Sequence, residues 1–348
     1  MHLAARKDYS TVISQKERIW IDEVESEARA MLELQQSPHV LGAYGAGWYK
    51  SRDTVRSEHL HISSALRGGV GAYGIAMELA DEDLQKFIYR TTLSEAQVAL
   101  FVAGLFFGLR DMHAKGVLHC DLKPANVLVV RHKGTDLFVA KIADLGSACC
   151  EDMGGDQKFQ GTEFHCSSWN LTSCAEARAG TPMYWAPEKK NTSMNTFATD
   201  VFSAGLVVYE MLSANNGPGA ATVSDLVSQL RADAESPGVR QELNLSIDIS
   251  HAAIEEPLRQ LLHCTLEPDP EVRCGIGGAA RLAARMLAAA KLDSDRIFQA
   301  DRSKRFCTSQ HQGSLPLNSA VPGVRMVRTP ELRGMESLKI HDADAFLV

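Results

Sequence analysis

"GVLHCDLKPANVLVV" occupies residues 116–130, and its reading decides that of the whole chain. Asp121, Lys123 and Asn126 stand together between two apolar runs. Such runs bury themselves as strands or helix ends, so the polar groups between them belong to a loop with a task. Asp121 can accept a proton from a hydroxyl, Lys123 can offset a developing negative charge, and Asn126 offers an uncharged oxygen to a hard cation. Downstream, "LFVAKIADLG" (137–146) reads as a second strand, joined to the first by the turn "RHKGTD". It ends in Asp144, a further oxygen ligand at the mouth of the same strand pair, and in Gly146, which frees the backbone to turn.

Around this centre, 348 residues suffice for one large two-lobed domain or two ordinary ones. A formal net charge of -7, with basic residues scattered, argues against nucleic acid as a partner. The first ten residues have no apolar core of signal-peptide length. The longest charge-free apolar run, "VALFVAGLFFGL" (98–109), is too short for a bilayer span, which needs about 20 residues. It reads as a buried helix with Ser94 and Gln97 as a capping box. The eight cysteines show no CxxC spacing, so reduced thiols in an intracellular, cytoplasmic protein are expected. Cys149, Cys150, His165, Cys166 and Cys174 cluster in sequence, but their spacing fits no familiar zinc pattern.

Residues 22–36 carry Val24, Ala28, Met31 and Leu34 on one helical face, followed by a turn and strand in "SPHVLGAYGAGWY". "GIAMELA" (74–80) is a short strand, "DEDLQKFI" opens a helix, and a long helix ends near His113. Residues 147–180 read as a long exposed loop, "TDVFSAGLVVYEMLS" as an apolar helix, and about 222–290 as further helices. Periodicity fades from Lys291 onward, the pattern of a disordered tail. The order predicts an α+β fold of two unequal lobes.

Asn126 and Asp144 at the ends of paired strands form a magnesium clamp beside an aspartate base. Phosphoryl transfer from a nucleotide needs that arrangement, because its catalysis is mostly positioning and charge stabilisation. "HCDLKPAN" resembles the catalytic-loop pattern His-Arg-Asp-Leu-x-x-x-Asn of the protein kinase family except at Cys120, and "DLG" stands where Asp-Phe-Gly is usual. "GTPMYWAPE" (180–188) ends in the family's Ala-Pro-Glu signature. "DVFSAG" is similar to the start of its central helix, with Asp200 tying down the catalytic loop, and "DPEVRCG" offers Arg273 as ion-pair partner of Glu188. Lys123 beside Pro124, and Thr181, resemble the serine/threonine subgroup.

The resemblance covers residues 3–290 and implies a bilobal kinase-like fold. Residues 1–80 would be a truncated, β-containing small lobe, 81–290 a mostly helical large lobe, and 291–348 the tail. It implies ATP and Mg2+ as cofactors and a protein substrate presenting a Ser or Thr hydroxyl, with Asp121 as base and Asn126 and Asp144 as metal ligands. Lys7, ion-paired to Glu27, would hold the phosphates. Backbone groups of Glu78 and Ala80, behind Met77, would meet the adenine edge. Asp83 would reach the ribose or else cap its own helix.

Three features depart from the family pattern. Only six residues precede Lys7, too few for the Gly-rich loop, so either Met1 is not the true start or nucleotide binding is weakened. The match at Gly69, Gly71 and Gly74 follows the glutamate helix and reads as a turn between strands. Cys120 cannot make the bidentate, charged contact an arginine makes with a loop phosphate, so activity is not expected to depend on phosphorylation read through residue 120. Residues 145–187 are long and Ser/Thr-bearing, with Leu145 a mild apolar swap. A pseudokinase scaffold is the alternative to a serine/threonine kinase. A small-molecule phosphotransferase is disfavoured by "GTPMYWAPE" with Arg273, the parts of a peptide platform.

Overall fold

The computed structural model describes residues 15–49, 60–63, 72–132, 135–150, 172–174, 180–192, 194–216, 222–235 and 253–298. Lys7, Gly69, Gly71, His165 and Cys166 lie outside them. The chain divides into one compact unit with residues 15–35 and 42–79 and a second with 36–41 and 80–300.

In the first unit, α1 (Gln15–Glu33) packs on a three-stranded antiparallel sheet of order β1–β3–β2. The strands are β1 (Ala43–Tyr49), β2 (Leu60–Ser63) and β3 (Ala72–Glu78). Val24, Ala28, Met31 and Leu34, one face at helical spacing, are all buried. The helix begins at Gln15, a turn or more before the apolar pattern does, because "QKERIW" is polar enough to hide its start. A bulge between Ala43 and Gly45 re-registers β1 against β3, and Gly45 sits at φ 141°, open only to glycine.

The second unit is built around an antiparallel sheet of order β4–β6–β7 and a helical body. β4 (Glu82–Asp83) leads into α2 (Leu84–Arg90), and α3 (Glu95–His113) packs on β7 (Phe138–Ile142) and α8 (Ile276–Ala289). β6 (Val127–Arg131) and β7 (Phe138–Ile142) pair from Val127↔Ile142 to Arg131↔Phe138. α3 is apolar on nearly every side because nearly every side is covered, from Val98 to Leu109. Gly104 lets it come down on β7, where a Cβ would collide with the carbonyl oxygen of Ala140. The expected capping box is half made: Ser94 Oγ accepts from Gln97 N–H at 3.3 Å, but the Gln97 side chain bonds Phe138 N–H and O across the α3–β7 contact instead.

A third set of short strands follows. β5 (Val117–Leu118) pairs antiparallel with β8 (Cys149–Cys150), which pairs parallel with β9 (Thr172–Ser173). The region expected to be an exposed loop thus has buried anchors at Cys149, Cys150 and Cys174. Past α4 (Pro187–Thr192), α5 (Phe197–Asn215) opens on a Thr196/Thr199 capping box. α5 is long and apolar enough to cross a bilayer, yet 78% of that apolar window is buried inside the fold. It is a core helix, with α6 (Val223–Glu235), α7 (Glu255–Thr265) and α8 (Ile276–Ala289) around it. The stretch read as the start of a disordered tail forms a short α9 (Ser294–Ile297), and Phe298 packs on His39 and Phe107.

The expectation of reduced thiols is overturned at five described positions, Cys150 among them. Cys149 is bonded to Cys174 and Cys264 to Cys274, while Cys120 is the free cysteine among the described residues. No cluster of metal-ligating side chains occurs among the described residues.

Candidate active site

β5 delivers the chain into the polar loop, and its first residues are fixed from beneath. Asp200, near the start of α5 and 2% exposed, accepts the backbone N–H of His119 at 2.8 Å and of Cys120 at 3.0 Å. His113 Nε2 reaches the same carboxylate at 3.0 Å. Those bonds hold Cys120 at φ 69°, a left-handed conformation that costs a residue with a side chain roughly 1–2 kcal/mol. Burial pulls Asp200 toward the neutral form, but the hydrogen bond and charge of His113, with His119, outweigh it and set its pKa below the ordinary value. The buried His119 ring accepts Asp121 N–H at Nδ1 (3.3 Å), so Nε2 donates to Ala143 O at 3.0 Å. This one ring ties the polar loop to the end of β7.

The turn that follows gathers the predicted polar groups. Lys123 Nζ donates to Asp121 Oδ2 at 2.7 Å and to Thr181 Oγ1 at 2.9 Å, while the Thr181 hydroxyl donates to Asp121 Oδ1 at 2.7 Å. Asn126 Nδ2 donates to Asp121 O at 2.9 Å and to Oδ2 at 3.3 Å. Half-burial raises the Asp121 pKa, but hydrogen bonds from Lys123 and Thr181 and the Lys123 charge bring it below the usual carboxylate range. Asp121 is therefore an ionised acceptor at neutral pH.

Asn126 and Asp144 fall at corresponding ends of β6 and β7. Val127 pairs with Ile142, and Ala143 N–H donates to Asn126 O at 2.9 Å, which carries Asp144 to the mouth of the pair at φ 59° with an exposed side chain. Asn126 directs its amide donors at Asp121, which leaves Oδ1, its only cation-binding atom, to face elsewhere. One amide oxygen and one carboxylate suit Mg2+, which keeps several waters and is held by few protein oxygens alongside phosphate. The residues present fit that ion.

The remaining predicted positions are placed separately. Glu27 is half-buried on α1. Glu78 ends β3, its N–H donating to Gly42 O at 2.8 Å, so that donor is already engaged within the first unit. Ala80 is half-buried at the start of the second unit. Asp83 caps α2, accepting Lys86 N–H at 2.8 Å and Lys86 Nζ at 2.6 Å, the helix-cap reading of the two weighed for it.

Beyond the polar loop, Arg273 chelates Glu188 with Nη1–Oε1 at 2.6 Å and Nη2–Oε2 at 2.9 Å. It also donates to the carbonyls of Ala198, Glu267 and Pro268. Lys189 escaped sequence reading because a lysine after Ala-Pro-Glu looks like a surface charge. It is 3% exposed, stacks over Trp185, and points Nζ at Cys120 O at 3.5 Å, with burial lowering its pKa. Gly180, at φ 114°, passes so close to Cys120 O that a side chain would clash.

A β-containing first unit and a mostly helical second unit, with a polar loop and paired strand ends before an Arg273–Glu188 clasp, make an α+β fold of two units. The chain matches the protein kinase domain family over residues 4–283, and it belongs to the protein kinase family. It is 28% identical over 216 residues to the serine/threonine-protein kinase PkaA of Streptomyces coelicolor, covering 60% of this chain and 33% of that protein. It is 32% identical over 187 residues to serine/threonine-protein kinase 16 of Mus musculus, covering 52% of this chain and 53% of that one. A third relative, the inactive serine/threonine-protein kinase PLK5 of Mus musculus, is 28% identical over 142 residues, 41% of this chain and 20% of that one. The matches thus span from a fifth to about half of these relatives' lengths.

Proposed function

We propose that this chain is a protein serine/threonine kinase that transfers the γ-phosphate of ATP to Ser or Thr hydroxyls of protein substrates. The observation that carries the reading is the Asp121–Lys123–Thr181 triangle, in which a side-chain alcohol already donates to the Asp121 carboxylate at 2.7 Å. A substrate hydroxyl approaching along the same direction would meet an ionised acceptor able to orient it and to take its proton as the new bond forms. Lys123, which bonds Asp121 Oδ2 and Thr181 Oγ1, would offset charge developing on the transferred group. Asn126 and Asp144 would hold Mg2+, which when bound neutralises phosphate charge. Lys7 with Glu27, the backbone of Glu78 and Ala80, and Asp83 through whatever capacity its cap leaves, are the proposed ATP contacts.

One observation favours a second reading, a binding module without transfer: one of the relatives is named inactive. γ-Phosphate transfer to a generic Ser/Thr substrate, compared between the wild type and Asp121→Asn, separates the two. General-base removal lowers the rate by about a hundredfold or more if the site is catalytic. No transfer by the wild type, together with no thermal shift on adding Mg-ATP, would sink the kinase reading.

A further inference from the structure

Three sulfurs meet directly behind the polar loop. Cys120 Sγ lies 3.1 Å from Cys149 Sγ, and Cys149 is bonded to Cys174. Because a disulfide sulfur carries no proton, the Cys120 thiol is the donor in that contact. The three residues, with Leu118, form one buried cluster lined by Phe197. Cys149 is fully buried and Cys174 and Cys120 are each 6% exposed, so an external thiol reaches any of these sulfurs slowly, whereas Cys120 is already in contact with the bond. The bond joins β8, the strand paired with the entry to the polar loop, to Cys174, the residue that follows β9 on the way to Gly180 and Thr181.

We propose that Cys120, Cys149 and Cys174 form an internal thiol–disulfide switch, with Cys120 as the exchanging thiol. The Cys120 thiolate attacks Cys149 Sγ and the Cys149–Cys174 bond breaks. The electron pair leaves on Cys174, which takes up the proton Cys120 gave away. Exchange alone changes no oxidation state. It moves the covalent tie from between β8 and Cys174 to between β8 and the polar loop, one residue before Asp121. A small dithiol reductant then supplies two electrons and two protons to open the Cys120–Cys149 bond. Burial, and after it the Asp200 charge, raises the Cys120 pKa, while Lys189 pulls the other way; the thiol is therefore protonated at rest and spontaneous exchange is slow. The inference rests on sulfur geometry and needs no catalytic activity.

Trypsin places the three cysteines on separate peptides, 116–131, 142–158 (which also carries Cys150) and 159–178 (which also carries Cys166), so the full chain can be mapped. The protein is equilibrated in a series of reduced and oxidised dithiothreitol, trapped with N-ethylmaleimide in denaturant, digested without reduction and sequenced by mass spectrometry. In the wild type, the Cys149–Cys174 bond between 142–158 and 159–178 dominates at the oxidising end, and a Cys120–Cys149 bond between 116–131 and 142–158 rises at intermediate poise as Cys174 becomes alkylated, with fragment ions between Cys149 and Cys150 assigning each sulfur. In Cys174→Ser, oxidised dithiothreitol joins Cys120 to Cys149 by taking two electrons and two protons from them, and Cys120 alkylation falls at least tenfold relative to Cys149→Ser. The proposal is overturned if Cys120 stays fully alkylated in Cys174→Ser, or if the wild type never yields the 116–131 to 142–158 bond. It is equally overturned if the purified chain holds one zinc on these sulfurs in place of the disulfide. Should Cys174→Ser fail to fold, the wild-type series decides alone.

Discussion

Replacing Arg273 by Met tests the clasp that closes the second unit. The Arg273 side chain is 0% exposed and that of Glu188 is 18% exposed, and their two parallel bonds are charge-assisted. Met keeps the apolar stem, which lies near the Phe202 ring that the guanidinium covers at 4.9 Å, so the loss is electrostatic more than steric. Removing one partner of a buried ion pair costs about 3–5 kcal/mol, because the other charge stays desolvated. Three carbonyls that Arg273 also satisfied push the expectation to the upper end, about 5 kcal/mol. At 2–4 °C per kcal/mol for a unit of this size, the midpoint of thermal unfolding should fall by roughly 10–20 °C. Glu188→Gln should cost less, since Arg273 keeps its three carbonyls. In the double variant Arg273→Met/Glu188→Gln no charge is left behind, so its loss should be smaller than the sum of the singles by roughly 1–3 kcal/mol. Midpoints from far-ultraviolet circular dichroism on all four proteins give the cycle. A shift below about 2 °C for Arg273→Met, or strict additivity in the double, would refute the role assigned to this pair.

Thr181→Val removes the hydroxyl that bridges Asp121 and Lys123; a hydrogen bond to a charged group is worth about 1.5–3 kcal/mol, so kcat/KM for phosphoryl transfer should drop roughly ten- to hundredfold with the fold intact. An unchanged kcat/KM would detach Thr181 from the reaction. Acid stability follows from Asp200 and Asp121, both with folded pKa values below those of the unfolded chain. Their contribution is complete above the unfolded carboxylate value, about 3.9, and is lost as pH falls through the lower folded values. Thermal midpoints measured from neutral pH downward should therefore fall more steeply below about pH 4 for the wild type than for Asp200→Asn, and parallel curves would contradict the depressed Asp200 pKa.

The parts of the fold legible in sequence are those encoded locally. The buried α1 face, the apolar α3, the β6–β7 pair and the start of α5 each follow from spacing or a cap within about one element. The polar-loop residues stand out in sequence because Asp121, Lys123 and Asn126 lie within six positions, and the structure brings Asp121, Lys123, Asn126 and Thr181 into hydrogen-bond contact. Long-range ties were not legible. Pairing of Cys149 with Cys174 depends on β8 and β9, two residues each, too short for any periodicity to announce them. Disulfide connectivity cannot be deduced from cysteine positions alone. Lys189 looks like a surface lysine because its burial is set by Trp185 and by the passage of Gly180 over Cys120, both matters of tertiary packing.

Cys120 joins these threads. Against its side chain the structure packs Leu118, Cys149, Cys174 and Phe197, a buried hydrophobic cluster. A guanidinium there would lose its hydration without a carboxylate or phosphate to replace it, since the nearby Asp200 carboxylate is engaged by His113 and by the backbone of His119 and Cys120 itself. The backbone geometry that sets Asp121 therefore does not need an arginine at this position. Asp200 fixes the loop from below, and His119 ties it to Ala143. What an arginine would otherwise contribute, a link between the catalytic loop and the segment before Thr181, is open to sulfur here. A charge-based link responds to phosphate, whereas a sulfur-based one responds to the thiol–disulfide poise around the protein.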